Sequence, residues 1–264
     1  MKTNRLRNLL ANGLPSIGTR IENTWPVITE MVGSTGSFDY VEFVAEYAPY
    51  GQPDLENIAR AAELSDMSTM IKIDFQNRAY VAQKAMASGF QAILFTDHKT
   101  AEEVRQSIFW TMPDTPEDQG RFGYPNRRWI GYKPGGPQME YAAMVRNTVR
   151  AFMIEKKEAM DNIEEICSVP GVDMIQFGPS DYSMSRGWNS SEHVQEFKAA
   201  EREMIRVALS HGVQPRCEIN SPEEAAYYVE LGVRHFCLGD ELRTNMVYWS
   251  RQGGALRSIV KELK

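Results

Sequence analysis

Strand-like apolar segments alternate with helical patterns along almost the whole chain. Eight strands are predicted, at Ser16–Thr19, Tyr40–Ala45, Thr69–Phe75, Ala92–Phe95, Ala151–Glu155, Met174–Phe177, Gln214–Glu218 and His235–Leu238. Helical spacing occurs in many of the intervals, at Leu55–Leu64, Ala79–Ser88, Ala101–Thr111, Lys157–Ser168, Ser190–His211 and Pro222–Leu231. This alternation predicts a (β/α)8 barrel. An open doubly wound sheet is the alternative, but no glycine-rich phosphate loop opens any of these helices.

The size and charge of the chain limit its class. Its 264 residues, 42% of them hydrophobic, suit one barrel domain spanning residues 1–264. A net charge of −6 without a basic run argues against nucleic acid as a partner. No segment has the length of a membrane span or the pattern of a signal peptide, so we expect a cytoplasmic protein without membrane contact. Cys167, Cys217 and Cys237 are isolated, and we expect buried, reduced thiols.

Two carboxylates follow neighbouring predicted strands, Glu155 at the end of the fifth and Asp181 after the sixth. Parallel strands joined by a helix end on the same rim, where α/β proteins hold their sites. Two oxygen ligands suit Mg²⁺ or Mn²⁺ better than zinc, and the four histidines have no metal-binding spacing. The alternative is that the two residues only cap a helix and form an Asx-turn.

The motifs around these carboxylates resemble those of the HpcH/HpaI aldolases, the class II pyruvate aldolases. That family has a Gln-(Ile/Val)-Glu-Thr-like strand and a Gly-Pro-(Ser/Ala)-Asp-Leu turn. The matching segments here are Met153-Ile154-Glu155-Lys156 and Gly178-Pro179-Ser180-Asp181-Tyr182, and the likeness extends over nearly the whole chain. It implies a lyase that cleaves a 2-oxo acid through a pyruvate-like enolate, with Mg²⁺ or Mn²⁺, or else Co²⁺, on Glu155 and Asp181. It also implies a homohexamer, a trimer of dimers that exchange their last helix.

The chain departs from the family pattern at the acid–base residues. The family's Asp-x-Glu-His motif reads Val44, Ala45, Glu46 and Tyr47 here, so the Asp–His pair is missing. The resemblance places Glu46 beside metal-bound water. Tyr47, with an ordinary pKa of about 10, suits hydrogen-bond donation better than proton abstraction. His98, after the fourth strand, is a substitute base, unless it belongs to a helix-cap cluster.

Several cations are candidates for binding substrate. Lys72 stands where the family has the arginine that holds the enolate oxygen, and Arg20 lies where the family has a tryptophan. Arg216 would bind a distal carboxylate, or join a structural network with Glu218 and Asn220. The backbone N–H groups of Ser180 and Asp181 would hold the substrate carboxylate, as the family does for pyruvate.

Other charged side chains are expected inside the barrel. Strand alternation points Glu42 and Asp74 inward, and a buried ion pair of either with Lys72 or Arg216 is favoured over catalysis.

Two segments lie outside the regular alternation. Met112–Met139 is rich in Gly, Pro and Arg and is predicted on the site rim. Its basic and aromatic residues would contact a neighbouring subunit or close over a substrate, and these are Arg121, Tyr124, Arg127, Arg128, Trp129, Tyr132 and Lys133. After the apolar Met246–Trp249, a break at Gly253-Gly254 and a short final helix are predicted, with cover from a partner subunit or from the chain's own barrel.

Three hypotheses follow. The first is the metal-dependent lyase. The second is a lyase without metal in which Lys72 forms a Schiff base. The third is an inactive scaffold that binds metal and a 2-oxo acid.

Overall fold

The centre of the molecule is a closed barrel of eight parallel strands, in a computed structural model that describes residues 3–132 and 135–263 apart from the Trp129 side chain. The strands are β1 Ser16–Ile21, β2 Tyr40–Val44, β3 Ser68–Ile73, β4 Ala92–Phe95, β5 Val149–Ile154, β6 Met174–Phe177, β7 Gln214–Ile219 and β8 His235–Asp240. They follow one another in chain order, and β8 pairs with β1 to close the barrel. The predicted (β/α)8 barrel is confirmed.

Helices connect the strands. They are α1 Arg5–Ala11, α2 Pro26–Ser34, α3 Gln52–Glu63, α4 Arg78–Ser88, α5 Ala101–Thr111, α6 Gln138–Arg146, α7 Lys157–Asp161, α8 Ile163–Cys167, α9 Pro179–Ser185, α10 Val194–Ser210, α11 Ala225–Glu230 and α12 Glu241–Lys261. Short 3-10 helices occur at Arg128–Ile130, Ser190–Glu192 and Pro222–Glu224. None of the helices in the described part of the chain is long and apolar enough to cross a membrane.

Helix α1 closes the N-terminal end of the barrel. Leu6 is fully buried in an apolar cluster with the strand residues Tyr40, Met70 and Met174. The Asn4 side chain caps α1. It also donates to the carbonyl oxygen of Gln91, just before β4, and to the carbonyl oxygen of Asn147, near the start of β5. With this end blocked, the open mouth of the barrel lies at the C-terminal ends of the strands, where barrel enzymes hold their sites.

The Gly- and Pro-rich segment runs along the outside of the barrel. It follows α5, and a segment after a helix returns toward the N-terminal ends of the strands, away from the mouth. Arg127 pairs with Glu56 and Arg128 pairs with Glu63, both on α3. The prediction that this segment lies on the site rim of its own barrel is therefore wrong. The expected contacts of Lys133 and of the Trp129 side chain lie outside the described residues.

The C-terminal segment is one helix. α12 continues through Gly253 and Gly254, so the predicted break is wrong. Each glycine costs about 1 kcal/mol in a helix interior, but Asp240 caps the helix by accepting the Arg243 N–H at 2.7 Å, and helical residues continue on both sides. By contrast, the helix predicted at Lys157–Ser168 is divided at Asn162 into α7 and α8.

Candidate active site

Four charged residues form what we call the mouth cluster: Glu46, Lys72, Glu155 and Asp181. Glu46 lies in the turn after β2, and its Oε2 is 2.6 Å from the Lys72 Nζ on β3. Only 12% of the Lys72 side chain and 6% of the Glu46 side chain are exposed. Because β2 pairs with β3 and Val44 lies opposite Lys72, the turn directly after β2 brings the two charges together.

Glu155 directly follows β5 and lies against Gly178, the residue before α9. Ile154 lies opposite Phe177 on β6, so Gly178 comes next to Glu155. A Cβ on Gly178 would lie 2.7 Å from the Glu155 Cβ and 2.8 Å from its Oε2. Glycine is needed at this position because any side chain would displace the carboxylate.

The Glu155 carboxyl group is buried but has few hydrogen-bond donors. Its Oε1 accepts the backbone N–H of Asp97 at 2.9 Å. Burial raises the pKa of Glu155 to about 7, although the Lys72 ammonium and the Asp97 N–H both act to lower it. A cation placed against this carboxylate would remove the cost of its buried charge.

Asp181 lies in the first turn of α9 and is partly exposed, and its charge acts on Tyr47 and Lys156. Among residues 3–132 and 135–263, no three His, Cys, Asp or Glu side chains are grouped around a possible metal position. A cation on Glu155 and Asp181 would therefore take its other ligands from substrate and water, as Mg²⁺ commonly does. The donor chemistry fits Mg²⁺ or Mn²⁺.

Lys72 is held in its charged form. Burial by itself would lower the pKa of Lys72, but the carboxylates of Glu155 and Glu46 outweigh burial and raise it to about 12. Schiff-base formation requires a neutral amine. The electrostatics of the mouth cluster therefore disfavour the Schiff-base hypothesis.

Tyr47 lies at the rim, 71% exposed, with the Lys72 Nζ 5.8 Å from its ring centroid. Partial burial, together with the carboxylates of Glu46 and Asp181, raises the pKa of Tyr47 to about 12. Tyr47 keeps its proton at neutral pH and can donate a hydrogen bond.

Ser180 is exposed at the start of α9. The first intrahelical bond of α9 runs from the Tyr182 N–H to the Gly178 carbonyl oxygen. The N–H groups of Ser180 and Asp181 precede it and so have no partner within the helix. They are positioned on the same segment as the Asp181 carboxylate.

Below the mouth cluster, a second set of charged and polar side chains fills the barrel. We call it the floor network, and it consists of Tyr40, Glu42, Gln176 and Arg216. The Arg216 Nε donates to the Tyr40 hydroxyl at 2.6 Å, and its terminal nitrogens bond Gln176 and Glu42. Arg216 and Glu42 are both fully buried, which confirms the expected ion pair. Without exposed surface, Arg216 cannot contact a substrate, so the structural alternative holds, with Gln176 rather than Asn220 as the linking partner.

Two other predicted residues have clear partners. Arg20 pairs with Glu218 at 2.8 Å and with Asp240 at 3.0 Å, and 21% of its side chain is exposed. Asp74 accepts from the backbone and side chain of Asn77 ahead of α4, so it makes a turn rather than a buried ion pair.

His98 does not reach the mouth. It is 1% exposed, one ring nitrogen lies 2.7 Å from the Thr96 carbonyl oxygen, and the other lies 2.6 Å from the Ser107 Oγ. Burial lowers the pKa of His98 to about 4. The substitute-base prediction fails because both nitrogens are engaged away from the barrel interior; Thr100 and Glu103, next to it, form the expected helix cap.

Two residues at the site, Asp97 and Lys156, were not predicted to contact each other beside Glu155, although the sequence places Asp97 at the start of a helix-cap cluster. The Asp97 Oδ1 and the Lys156 Nζ form an ion pair of 2.6 Å directly beside Glu155. The available signals are an Asp at a strand end and a Lys immediately after the candidate metal ligand, but only the fold shows that they meet.

A closed barrel of parallel strands with charged side chains at its C-terminal mouth is the architecture of barrel enzymes. The sequence model of one family, HpcH/HpaI aldolase/citrate lyase, matches residues 36–233. The chain belongs to this family and is a carbon–carbon lyase.

One sequence relative and two solved structures cover most of the chain, and the structures share its fold. A 2-keto-3-deoxy-L-rhamnonate aldolase of Escherichia coli O6:K15:H31 (strain 536 / UPEC) is 25% identical over 240 residues, 90% of this chain and 87% of that protein. The crystal structure of an HpcH/HpaI aldolase from Desulfitobacterium hafniense DCB-2 has a TM-score of 0.86 at 21% identity and covers 97% of both chains. A more distant structure, CitE from Mycobacterium tuberculosis in complex with magnesium and acetate, has a TM-score of 0.57 at 12% identity, with 89% and 88% coverage.

Proposed function

We propose that this lyase is divalent-metal-dependent and cleaves 2-oxo acids through a pyruvate-like enolate. The observation that carries the proposal is the Glu155 carboxyl group, buried against Gly178 with its pKa raised, beside a lysine that stays charged. The buried carboxylate favours the binding of a cation, and the charged lysine favours the binding of an anionic substrate beside it.

Glu155 and Asp181 would hold the metal, Mg²⁺ or Mn²⁺ with Co²⁺ as a further candidate. A divalent cation supplies a Lewis acid that stabilises negative charge on a substrate oxygen while a neighbouring bond breaks. Support comes from the donor chemistry of the two carboxylates and from the magnesium in the CitE structure.

The other residues of the mouth would bind and orient the substrate. The Lys72 ammonium, fixed by Glu46, faces the negative charge that develops on the 2-oxo oxygen. The N–H groups of Ser180 and Asp181 bind the substrate carboxylate. Arg20 is the candidate for the distal end of the substrate, and Tyr47 donates a hydrogen bond at the rim.

The reaction proposed is cleavage of the C3–C4 bond in a 4-hydroxy-2-oxo acid. A water molecule at the mouth takes the proton of the C4 hydroxyl, and the C4 oxygen becomes the carbonyl oxygen of the aldehyde. C3 keeps the electron pair of the broken bond and takes a proton from water to give pyruvate. The name of the E. coli relative points to 2-keto-3-deoxy sugar acids as the substrates to try first. Val44 and Tyr47 stand in place of the family's Asp–His pair. The test therefore also includes substrates that differ from that of the relative.

The test is pyruvate release from a panel of 2-keto-3-deoxy acids with Mg²⁺, Mn²⁺ or Co²⁺, and again after EDTA. We expect EDTA to abolish release and added metal to restore it. Glu155→Gln and Asp181→Asn should lose activity, whereas Glu158→Gln should not, because Glu158 is half exposed and pairs with Lys99 outside the mouth. Equal activity of Glu155→Gln and the parent protein would refute the proposal.

We also propose that α12 is exchanged between subunits of a homohexamer. No residue of α12 is buried in the described chain. Its apolar side chains Met246, Tyr248 and Trp249 are each about 60% exposed. A contiguous set of exposed apolar side chains commonly marks a surface that contacts another protein. A second copy of the chain supplies that contact by symmetry.

Light scattering after size exclusion tests this arrangement. Trp249→Glu combined with Met246→Glu should lower the molar mass of the assembly. Leu64→Glu is the control and should leave the mass unchanged, because Leu64 is 73% exposed at the end of α3, far from α12 in the chain. A monomeric parent protein would contradict the exchange.

A further inference from the structure

Asp97 has an unusual backbone conformation at the mouth of the barrel. Its φ is +63°, in the left-handed region that residues other than glycine rarely adopt, although Asp and Asn adopt it more readily than most. In this conformation, its N–H points at the Glu155 Oε1, 2.9 Å away. Strained backbone persists where surrounding contacts enforce it, and it is concentrated at functional sites.

Both neighbours of Asp97 are fixed. The Thr96 Oγ1 donates to the Ile73 carbonyl oxygen at 2.8 Å, which ties the end of β4 to β3. On the other side, the His98 ring is held between the Thr96 carbonyl oxygen and the Ser107 Oγ, and it contacts Phe152 edge-on at 5.2 Å between ring centroids. Anchors on both sides leave the left-handed turn at Asp97 little freedom.

The Asp97 side chain makes a second contact with the same strand end. Its Oδ1 is 2.6 Å from the Nζ of Lys156, and the two side chains are 30% and 19% exposed. Lys156 follows Glu155 directly in the chain. Asp97 therefore contacts two consecutive residues, Glu155 through its backbone and Lys156 through its side chain.

We propose that Asp97 is the positioning residue for Glu155. Its left-handed backbone directs one N–H at the Glu155 carboxylate, and its ion pair holds Lys156, the next residue in the chain. The hydrogen bonds of His98 anchor the turn on the other side of Asp97. This inference rests on the proposed function, because Glu155 is positioned for a metal. Hydrogen bonds to the carboxylates that bind a metal orient them and change metal affinity about 10- to 100-fold.

The test is Mn²⁺ affinity, measured by isothermal titration calorimetry on the purified full-length protein and its variants. Asp97→Val should weaken Mn²⁺ binding about tenfold or more, because a β-branched residue is excluded from left-handed backbone. Asp97→Gly keeps that backbone conformation available and should stay much closer to the parent affinity. Lys156→Met should fall between them.

Asp66 provides a matched control. It is also left-handed, with φ +55°, but lies exposed between α3 and β3 at the N-terminal end of the barrel. Asp66→Val should lower the thermal stability without changing the Mn²⁺ affinity. A folded Asp97→Val protein with the parent affinity would overturn the positioning role.

Amide hydrogen exchange gives a readout that needs neither metal nor a folded Asp97→Val protein. Exchange at the Asp97 N–H should become faster in Glu155→Ala and stay slow in Glu158→Ala. No change in Glu155→Ala would overturn the inference. Failure of the parent protein to bind Mn²⁺ would instead refute the proposed metal site, and the exchange result would still show whether Asp97 holds Glu155.

Discussion

The floor network and the mouth cluster contain the same kinds of side chain, but their charges are balanced differently. On the floor, Glu42 and Arg216 are both fully buried and paired with each other. At the mouth, Lys72 pairs with Glu46, whereas the buried Glu155 carboxylate accepts a backbone N–H from Asp97, and burial raises its pKa to about 7. Charges that are paired in a closed space satisfy each other, whereas a buried carboxylate with a raised pKa next to an opening is suited to binding a cation.

Breaking the floor should have the largest effect on stability. Arg216→Met leaves the Glu42 carboxylate buried without its partner and should lower the free energy of unfolding by about 3–5 kcal/mol. Chemical denaturation measures this. The double variant Glu42→Leu/Arg216→Met should recover most of the loss, because removing both charges leaves no unpaired ion; a double variant as unstable as the single one would contradict the pairing.

Changing the mouth should have the opposite effect on stability. Glu155→Gln should lower kcat/KM at least about 100-fold, yet stabilise the metal-free protein. The pKa of Glu155 is raised in the folded state, so its ionisation destabilises the fold as the pH rises from about 4.5 through 7, by about 3 kcal/mol in total. In EDTA, the gain from Glu155→Gln should therefore be present at pH 8 and absent at pH 4.5. Equal gains at both pH values would contradict it.

His98 should give the reverse pH dependence. Its pKa is lowered in the folded state, so the neutral ring favours folding above pH 6.5, and that stability is lost as the pH falls through 6.5 toward 4, by about 3 kcal/mol. His98→Gln should reduce the acid loss seen in denaturation curves. Part will remain, because burial also lowers the pKa of His235 to about 4. An unchanged acid loss in His98→Gln would show that His98 is accessible to protons in the native state.

The smallest effect is expected for an exposed ion pair. Arg206 and Glu203 are 2.7 Å apart on α10, with 60% and 50% of their side chains exposed. Arg206→Ala should leave the free energy of unfolding nearly unchanged, because solvent screens the pair. A change as large as that of Arg216→Met would remove burial as the basis of the comparison.

The strands could be predicted from the sequence because most are short apolar runs between turns. β4 and β6 have the predicted bounds, and the other six differ by a few residues at one or both ends. The helices were harder. α1, α2 and α6 were not predicted, and α2 is rich in Val, Ile and Thr, which have weak helix preferences and depend here on packing against α3.

The candidate site was predictable where chemistry follows strand ends and not where it depends on side-chain direction. The positions of Glu155 and Asp181 follow from the βαβ order. The buried state of Arg216 and the outward position of His98 depend on register and on the Phe75, Phe95 and Phe152 rings around His98, which no sequence pattern shows. Asp97 escaped prediction because its role comes from a backbone angle.

Oxaloacetate decarboxylation by the purified protein, measured across a Mn²⁺ titration, is the most direct test of metal-assisted enolate formation at the mouth cluster. This reaction forms the pyruvate enolate without an aldehyde partner, so it isolates the chemistry proposed for the mouth cluster. We predict turnover that saturates with Mn²⁺, disappears with EDTA and is lost in Glu155→Gln. Turnover that is unaffected by EDTA and by Glu155→Gln, or no turnover with Mn²⁺ bound, would contradict a metal-assisted enolate site.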